Sequence, residues 1–329
     1  MATIRDVAQL ANVSPSTVSH TLNETAPISE ETKQRVLQCV DQLGYVSRRK
    51  PRRGAKTRFI AVITDDIAAP FVPSMIKGIQ HHACRNGYEI VVRQAPLNNM
   101  ASVLDLNLKG LVGVIIATSL TPNLRGIDTG RLPTVLCHCR SENLPFMSVM
   151  PDDFRGGYTA TLHLLENGWS PIVHIGGPLT WTAGRERKKG YLYALKQHGL
   201  SENEELIRHS DDWELSSGYK LILDILKRVR PPFGLFCAND LFAVGAIQAL
   251  REQGFDVPGD VGVVGFDNRE ICEYVIPKLT SLQLPAYYMG EAAAGALLDM
   301  VTKEKRWQAT TSIECPLIVR DSSIPRSLS

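Results

Sequence analysis

Residues 4–23, IRDVAQLANVSPSTVSHTLN, carry the reading from which the rest of the fold is worked out. Ile4, Val7, Ala8 and Ala11 fall at i, i+3, i+4 and i+7, the spacing of one buried helix face. Asn12 tolerates the left-handed conformation of a tight turn, and Ser14-Pro15 supplies an N-cap and a first-turn proline for a second helix. Two helices joined by so short a turn make a helix-turn-helix. Ser29, with Glu30 and Glu31, opens a third helix whose apolar face is Val36, Leu37, Val40 and Leu43, and Gly44 stands where a C-terminal glycine belongs. Residues 1–45 thus read as a three-helix unit.

The stretch that follows, VSRRKPRRGAKTR (46–58), has no apolar periodicity and seven basic residues, the composition of an exposed linker. Charge divides at the same place. Residues 1–58 hold ten Lys/Arg against five Asp/Glu, a net +5, whereas the remainder holds 26 against 29, a net −3. The whole-chain value of +2 hides this split, which points to a polyanion partner for the head alone.

Beyond the linker, short apolar strands alternate with helical stretches. FIAVI begins at 59, EIVV at 89, LVGVIIA at 111, PTVLCHC at 133 and SVM at 148, with a helix over about 71–86. A second series has IVHIGG at 172, helices over 184–198 and 216–228, FGLFCA at 233, a helix over 240–253 and VGVVGF at 261. This predicts two doubly wound parallel sheets, one per lobe. A strand near 281, a helix over about 287–302 and IECPLIV at 313 are too little for a third lobe and return across both. The expected first lobe is about 59–152 with 284–312, and the second about 153–283 with 313–319. Ligands of such sheets bind beyond the carboxyl ends of the strands, where Asp65, Asn239, Asp240 and Asp267 stand. Each alone has a plainer alternative as a turn or helix cap.

Composition excludes several classes. Seven scattered cysteines without a CxxC suit reduced thiols rather than a disulfide framework. No apolar run approaches the ~18 residues of a membrane span and MATIRDVAQL lacks a secretory core, so a cytoplasmic protein is expected. Walker A, GxGxxG and GxSxG strings are absent, and no enzyme activity or cofactor is expected. Cys137-His138-Cys139 lies on a strand that splits its side chains between faces, and His81-His82 on a helix where neighbours diverge, so no metal is expected either.

Residues 4–23 resemble the DNA-binding signature of the lactose/galactose repressor (LacI/GalR) family, and GYEIVV, GGP (176–178), the R-x-x-G of Arg187 to Gly190, CANDLFAVGA, DVPGDVGVVGFDN and PKLTSL extend the likeness over nearly the whole chain. The resemblance implies an α/β chain with a helix-turn-helix head and a two-lobed, periplasmic-binding-protein-like core. It implies a homodimer or tetramer on a palindromic operator, its DNA affinity set by a small molecule in the cleft. The absence of a heptad tail favours the dimer. A repressor of carbohydrate use answering to a sugar or sugar derivative is the expected function. Alternatives are a non-sugar metabolite such as a nucleobase, or a solute-binding protein without regulatory role.

By the same resemblance Pro15, Ser16 and His20 occupy base-reading positions, with Thr3, Ser14, Thr17, Ser19 and Asn23 also at the DNA. Where the family has Arg, this chain has His20, which implies an unusual half-site. The linker departs further: Pro51 and Gly54 fall inside the family's hinge helix, costing it about 3 and about 1 kcal/mol. Arg48, Arg49, Arg52 and Arg53 are instead read as a flexible cationic arm on phosphates or a narrow minor groove, the alternative being a solvated linker with nonspecific attraction. In the core the resemblance assigns effector contacts to Asp65 and Phe71 on the first lobe and to Arg187, Trp213, Asn239 and Asp267 on the second. Carboxylates and amides suit sugar hydroxyls, and Trp213 offers a face to a pyranose.

Overall fold

A computed structural model describes residues 3–23, 28–43, 58–96, 109–125, 127–141, 146–303 and 309–325. Gly44, Arg48, Arg49, Pro51, Arg52, Arg53 and Gly54 lie outside the described residues. The chain divides into two compact units with a boundary between Thr57 and Arg58.

In the first unit, α1 (Ile4–Leu10), α2 (Pro15–Asn23) and α3 (Glu30–Gln42) bury Val7, Ala8, Ala11, Val18, Val36, Cys39 and Val40 against one another. Their ends are chemically specified. Thr3 and Asp6 form a capping box on α1, Asn12 takes φ +52° in the turn, and the Thr17 amide donates to Ser14 Oγ at 3.0 Å to start α2. Ser29 accepts from the Thr32 amide at the start of α3.

The second unit begins with β1 (Phe59–Thr64), α4 (Val72–Arg85), β2 (Glu89–Gln94), β3 (Leu111–Ala117), β4 (Asn123–Leu124), β5 (Thr134–Cys137), β6 (Arg140–Ser141) and β7 (Met147–Pro151). It continues with α5 (Asp153–Glu166), β8 (Ile172–Gly176), α6 (Thr182–Gln197), β9 (Ile207–His209), α7 (Leu215–Leu226), β10 (Phe233–Cys237), α8 (Asp240–Glu252), β11 (Val261–Asp267) and β12 (Thr280–Gln283). Last come α9 (Ala286–Lys303), β13 (Thr310–Ile313) and β14 (Leu317–Ile318). Two six-stranded sheets result, ordered β13-β7-β5-β3-β1-β2 and β14-β12-β11-β10-β8-β9, every pairing parallel except β12 with β14. A two-stranded ladder, β4-β6, accompanies them.

The chain therefore passes between the lobes three times: after β7, after β12 and after β13. The tail adds one short strand to each sheet, β13 ending at Ile313 and β14 at Leu317–Ile318. The expected strand 133–139 stops at Cys137, because His138 adopts φ +64°, a left-handed conformation that ends a ladder. The helix α5 was absent from the expected series. Its adjacent Gly156 and Gly157 each cost a helix about 1 kcal/mol relative to Ala, and tertiary packing supplies the reason for them.

That reason recurs. Three helix pairs approach closely, and each helix contributes one glycine: Gly157 and Gly190 in α5/α6, Gly218 and Gly245 in α7/α8, Gly78 and Gly290 in α4/α9. At all six positions a Cβ would lie under 3.0 Å from backbone atoms of the opposite helix.

Candidate functional site

The site forms at the carboxyl ends of strands. β11 delivers Asp267, whose φ of +107° is costly for a non-glycine residue, roughly 1–3 kcal/mol, and which is followed by Asn268 at +51°. Ionic contacts hold it there: Arg187 Nη1 lies 3.5 Å from Oδ1 and Arg269 Nε 3.5 Å from Oδ2. Arg187, on α6, is 3% exposed. Its Nε donates to Asp153 Oδ1 at 2.8 Å, its Nη1 donates to the Ala238 carbonyl, and its guanidinium stacks 3.5 Å from the Phe266 ring centroid. Nη2 carries none of these contacts. Burial opposes the Arg187 charge, but Asp153 and Asp267 outweigh it and raise its pKa further. Burial pushes Asp267 upward, against the pull of Arg187 and Arg269.

Trp213 stands 5.8 Å from the Arg187 guanidinium and stacks on Phe242 at 5.9 Å. Its ring lies over Gly177, where a Cβ would collide with it, which accounts for the GGP turn after β8. Two buried polar atoms flanking Arg187 have no hydrogen-bond partner among the described residues: Asp153 Oδ2 and Trp213 Nε1. Phe71 faces Arg269 at 5.2 Å, joining the lobes. A cavity of about 470 Å³ opens beside this contact, lined by Phe71, Asp267, Asn268, Arg269, Gln283 and Ala286 among others.

Of the six residues expected to meet an effector, the structure brings Phe71, Arg187, Trp213 and Asp267 into one contact chain through Arg269. Two are otherwise engaged. Asn239 caps α8, accepting from the Phe242 amide at 2.8 Å, and its Nδ2 donates to the Trp213 carbonyl at 3.0 Å, so its carboxamide positions Trp213. Asp65 accepts from both the amide and the hydroxyl of Ser119 on the first lobe. Sequence reading missed Asp153, Arg269 and His138. Asp153 follows β7 as Asp267 closes β11, a signal obscured because α5 was not expected. His138 Nδ1 lies 3.0 Å from the Thr118 carbonyl. That contact assigns the proton to Nδ1, while burial pushes the ring below its ordinary pKa, against Thr118 and Asp153.

Asp240 lies beneath the site, accepting from the Ser281 hydroxyl and, at 2.7 Å, from the Arg269 amide. Burial and the nearby Asp267 charge push its pKa up to about 7 from 3.8. A carboxyl raised by folding contributes stability that is complete below its unfolded value and lost as pH climbs through the folded one. The melting temperature of Asp240→Asn should therefore rise relative to that of the native chain between pH 5 and pH 8. Parallel melting curves across that range would overturn the assignment.

In the head, Pro15, Ser16 and His20 are exposed on α2, with Ser16 and His20 one turn apart on one face. Ser14 Oγ ties Ser16 Oγ (2.6 Å) and Thr17 Oγ1 (2.8 Å) into a hydroxyl cluster at the start of that helix. Ser19 is half-buried, and Asn23 is the last residue of α2.

Comparison with known proteins agrees with both units. Residues 3–47 match the family described as bacterial regulatory proteins, lacI family, and residues 161–323 a periplasmic binding protein-like domain. The HTH-type transcriptional repressor PurR of Actinobacillus pleuropneumoniae serotype 3 (strain JL03) is 32% identical over 322 residues, 95% of each chain. That of Photorhabdus laumondii subsp. laumondii is 33% identical over 334 residues, 98% of this chain and 97% of its own. A solved transcriptional regulator CelR-cellobiose complex superposes with a TM-score of 0.70 at 28% identity, over 98% of this chain and 100% of that one. The chain belongs to the LacI family of bacterial regulatory proteins and is a DNA-binding transcription regulator.

Proposed function

We propose that the protein is a homodimeric repressor that reads a palindromic operator through α2 and answers to an uncharged, hydroxyl-rich small molecule, a sugar or sugar derivative, held between the lobes. One observation carries the ligand class. The Arg187 and Arg269 cations match the Asp153 and Asp267 carboxylates in formal charge, yet an acceptor, Asp153 Oδ2, and a donor, Trp213 Nε1, have no hydrogen-bond partner among the described residues. A sugar hydroxyl donates and accepts at once, and Trp213 and Phe71 offer rings to its apolar face. The repressor reading is supported by relatives described as transcriptional repressors, and the sugar reading by the cellobiose complex of the CelR neighbour. On this reading Pro15, Ser16 and His20 meet base edges while Thr3, Ser14, Thr17, Ser19 and Asn23 hold the backbone, and the protein acts in the cytoplasm on a carbohydrate-use operon. A nucleobase is the second reading, favoured by the carboxamides of Asn268 and Gln283 on the cavity wall, which match a flat polar edge.

Thermal unfolding of the full chain with cellobiose, ribose, gluconate, glucose 6-phosphate and adenine separates these readings. A ligand at a hundred times its Kd adds about 2.7 kcal/mol, a shift of a few degrees. Neutral sugars are expected to stabilise the native chain and to lose that effect in Phe71→Ala. Stabilisation by adenine alone moves the assignment to a base, and a cooperative transition unmoved by all five removes both.

A further inference from the structure

We infer that Thr121, on the first lobe, is a positioning residue for the ligand site: it caps, from across the lobe boundary, the second-lobe helix that carries Arg187. The inference rests on the reading of the cleft given above. Like every α-helix, α6 begins with amide groups that have no partner within the helix. Trp181 holds the N-cap position in the ordinary extended conformation (φ −92°, ψ 144°), but its side chain makes no capping hydrogen bond. Thr121 makes it instead. Its Oγ1 accepts from the Ala183 amide at 3.0 Å and its carbonyl from the Thr182 amide at 3.3 Å.

The residue is placed for this work. Thr121 is 2% exposed and follows β3 in a loop shaped by two other contacts: the Thr118 hydroxyl donates to the Leu120 carbonyl at 2.7 Å, and Ser119 holds Asp65. On the other side, Gly184 lets the first turn of α6 close on the Pro178 carbonyl, so that turn is packed by its own lobe and sealed by the opposite one. Arg187 comes one turn later, with its Nε on Asp153 at the start of α5. Any lobe arrangement that withdraws Thr121 strips α6 of its cap. The relation of the lobes and the placement of Arg187 are thereby linked, and ligand held by Arg187 and the lobe arrangement seen here favour each other.

Amide hydrogen exchange on the full chain, read by NMR, tests this without any ligand, so an empty ligand screen and a failed cap are distinguishable. Thr121→Val removes the acceptor at nearly constant volume and leaves the backbone carbonyl. The Ala183 amide is expected to exchange about fivefold faster, the equivalent of about 1 kcal/mol for a lost cap, with the Arg187 Nε proton accelerating alongside it. Thr121→Ser restores both, and Thr121→Ala reproduces the loss if valine crowds the loop. In a Trp181→Ser background, where α6 has a cap of its own, Thr121→Val should change Ala183 exchange less than twofold. An unchanged Ala183 rate in both the valine and alanine variants, an undiminished effect in the serine background, or a uniform acceleration through the sheets overturns the proposal.

Discussion

Arg187→Ala should cost about 3–5 kcal/mol of folding stability, measured by denaturant titration at neutral pH, and the loss should shrink in acid. The substitution leaves Asp153 and Asp267, 3% and 7% exposed, as buried carboxylates without their shared guanidinium. Asp267, already pushed upward by burial, loses the guanidinium that pulls it down, so its contribution is retained at low pH and lost as pH rises. Arg187→Lys keeps a charge but cannot reproduce a planar fork that reaches Asp153, Asp267 and the Ala238 carbonyl while stacking on Phe266. Adding Asp153→Asn to Arg187→Ala should recover part of the loss, because one uncompensated charge disappears. A stability within 1 kcal/mol of native at pH 7 would mean that the ion cluster is not what holds Asp267 in its left-handed conformation.

Gly190→Ala should be nearly as damaging, about 3 kcal/mol. A Cβ at Gly190 would overlap the backbone carbonyl of Phe154 on α5, so no rotamer change relieves it and the helices must separate. Separation is costly at this point. Gly157 opposite packs on the backbone of Arg187 itself, and moving α6 away from α5 stretches the Arg187–Asp153 bond. The control is Gly199→Ala, which meets no atom within 4 Å but has φ +71°, so its cost is local backbone strain only. Equal losses from the two variants would show that close approach of α5 and α6 carries no special energy.

Legibility in the sequence followed the range of the interaction involved. Asn12, Ser14 and Ser29 act on residues a few positions away, and turn and cap chemistry alone placed them. The inner strands β3, β10 and β11 are continuous apolar runs, as expected of parallel strands buried on both faces. What failed was non-local. The glycines of α5 argue against a helix by propensity, and only Phe266 and Arg187, far along the chain, explain them. Asn239 follows β10 as the strand-end reading expected, but whether a side chain is free for a ligand or engaged by the protein depends on partners that spacing cannot show. Asp153 became visible only through its bond to Arg187, 34 residues away in sequence.

The threefold passage of the chain between the lobes bears on how the protein is made. The outer strand β13 of the first sheet begins at Thr310, and β14 closes the second sheet at Ile318. A chain growing on a ribosome thus exposes two unfinished sheet edges until residues 310–318 have emerged, the first sheet gaining its outer strand only just before the second. Completion of both lobes is consequently tied to one short segment, so an interruption of synthesis before Thr310 leaves both sheets open together.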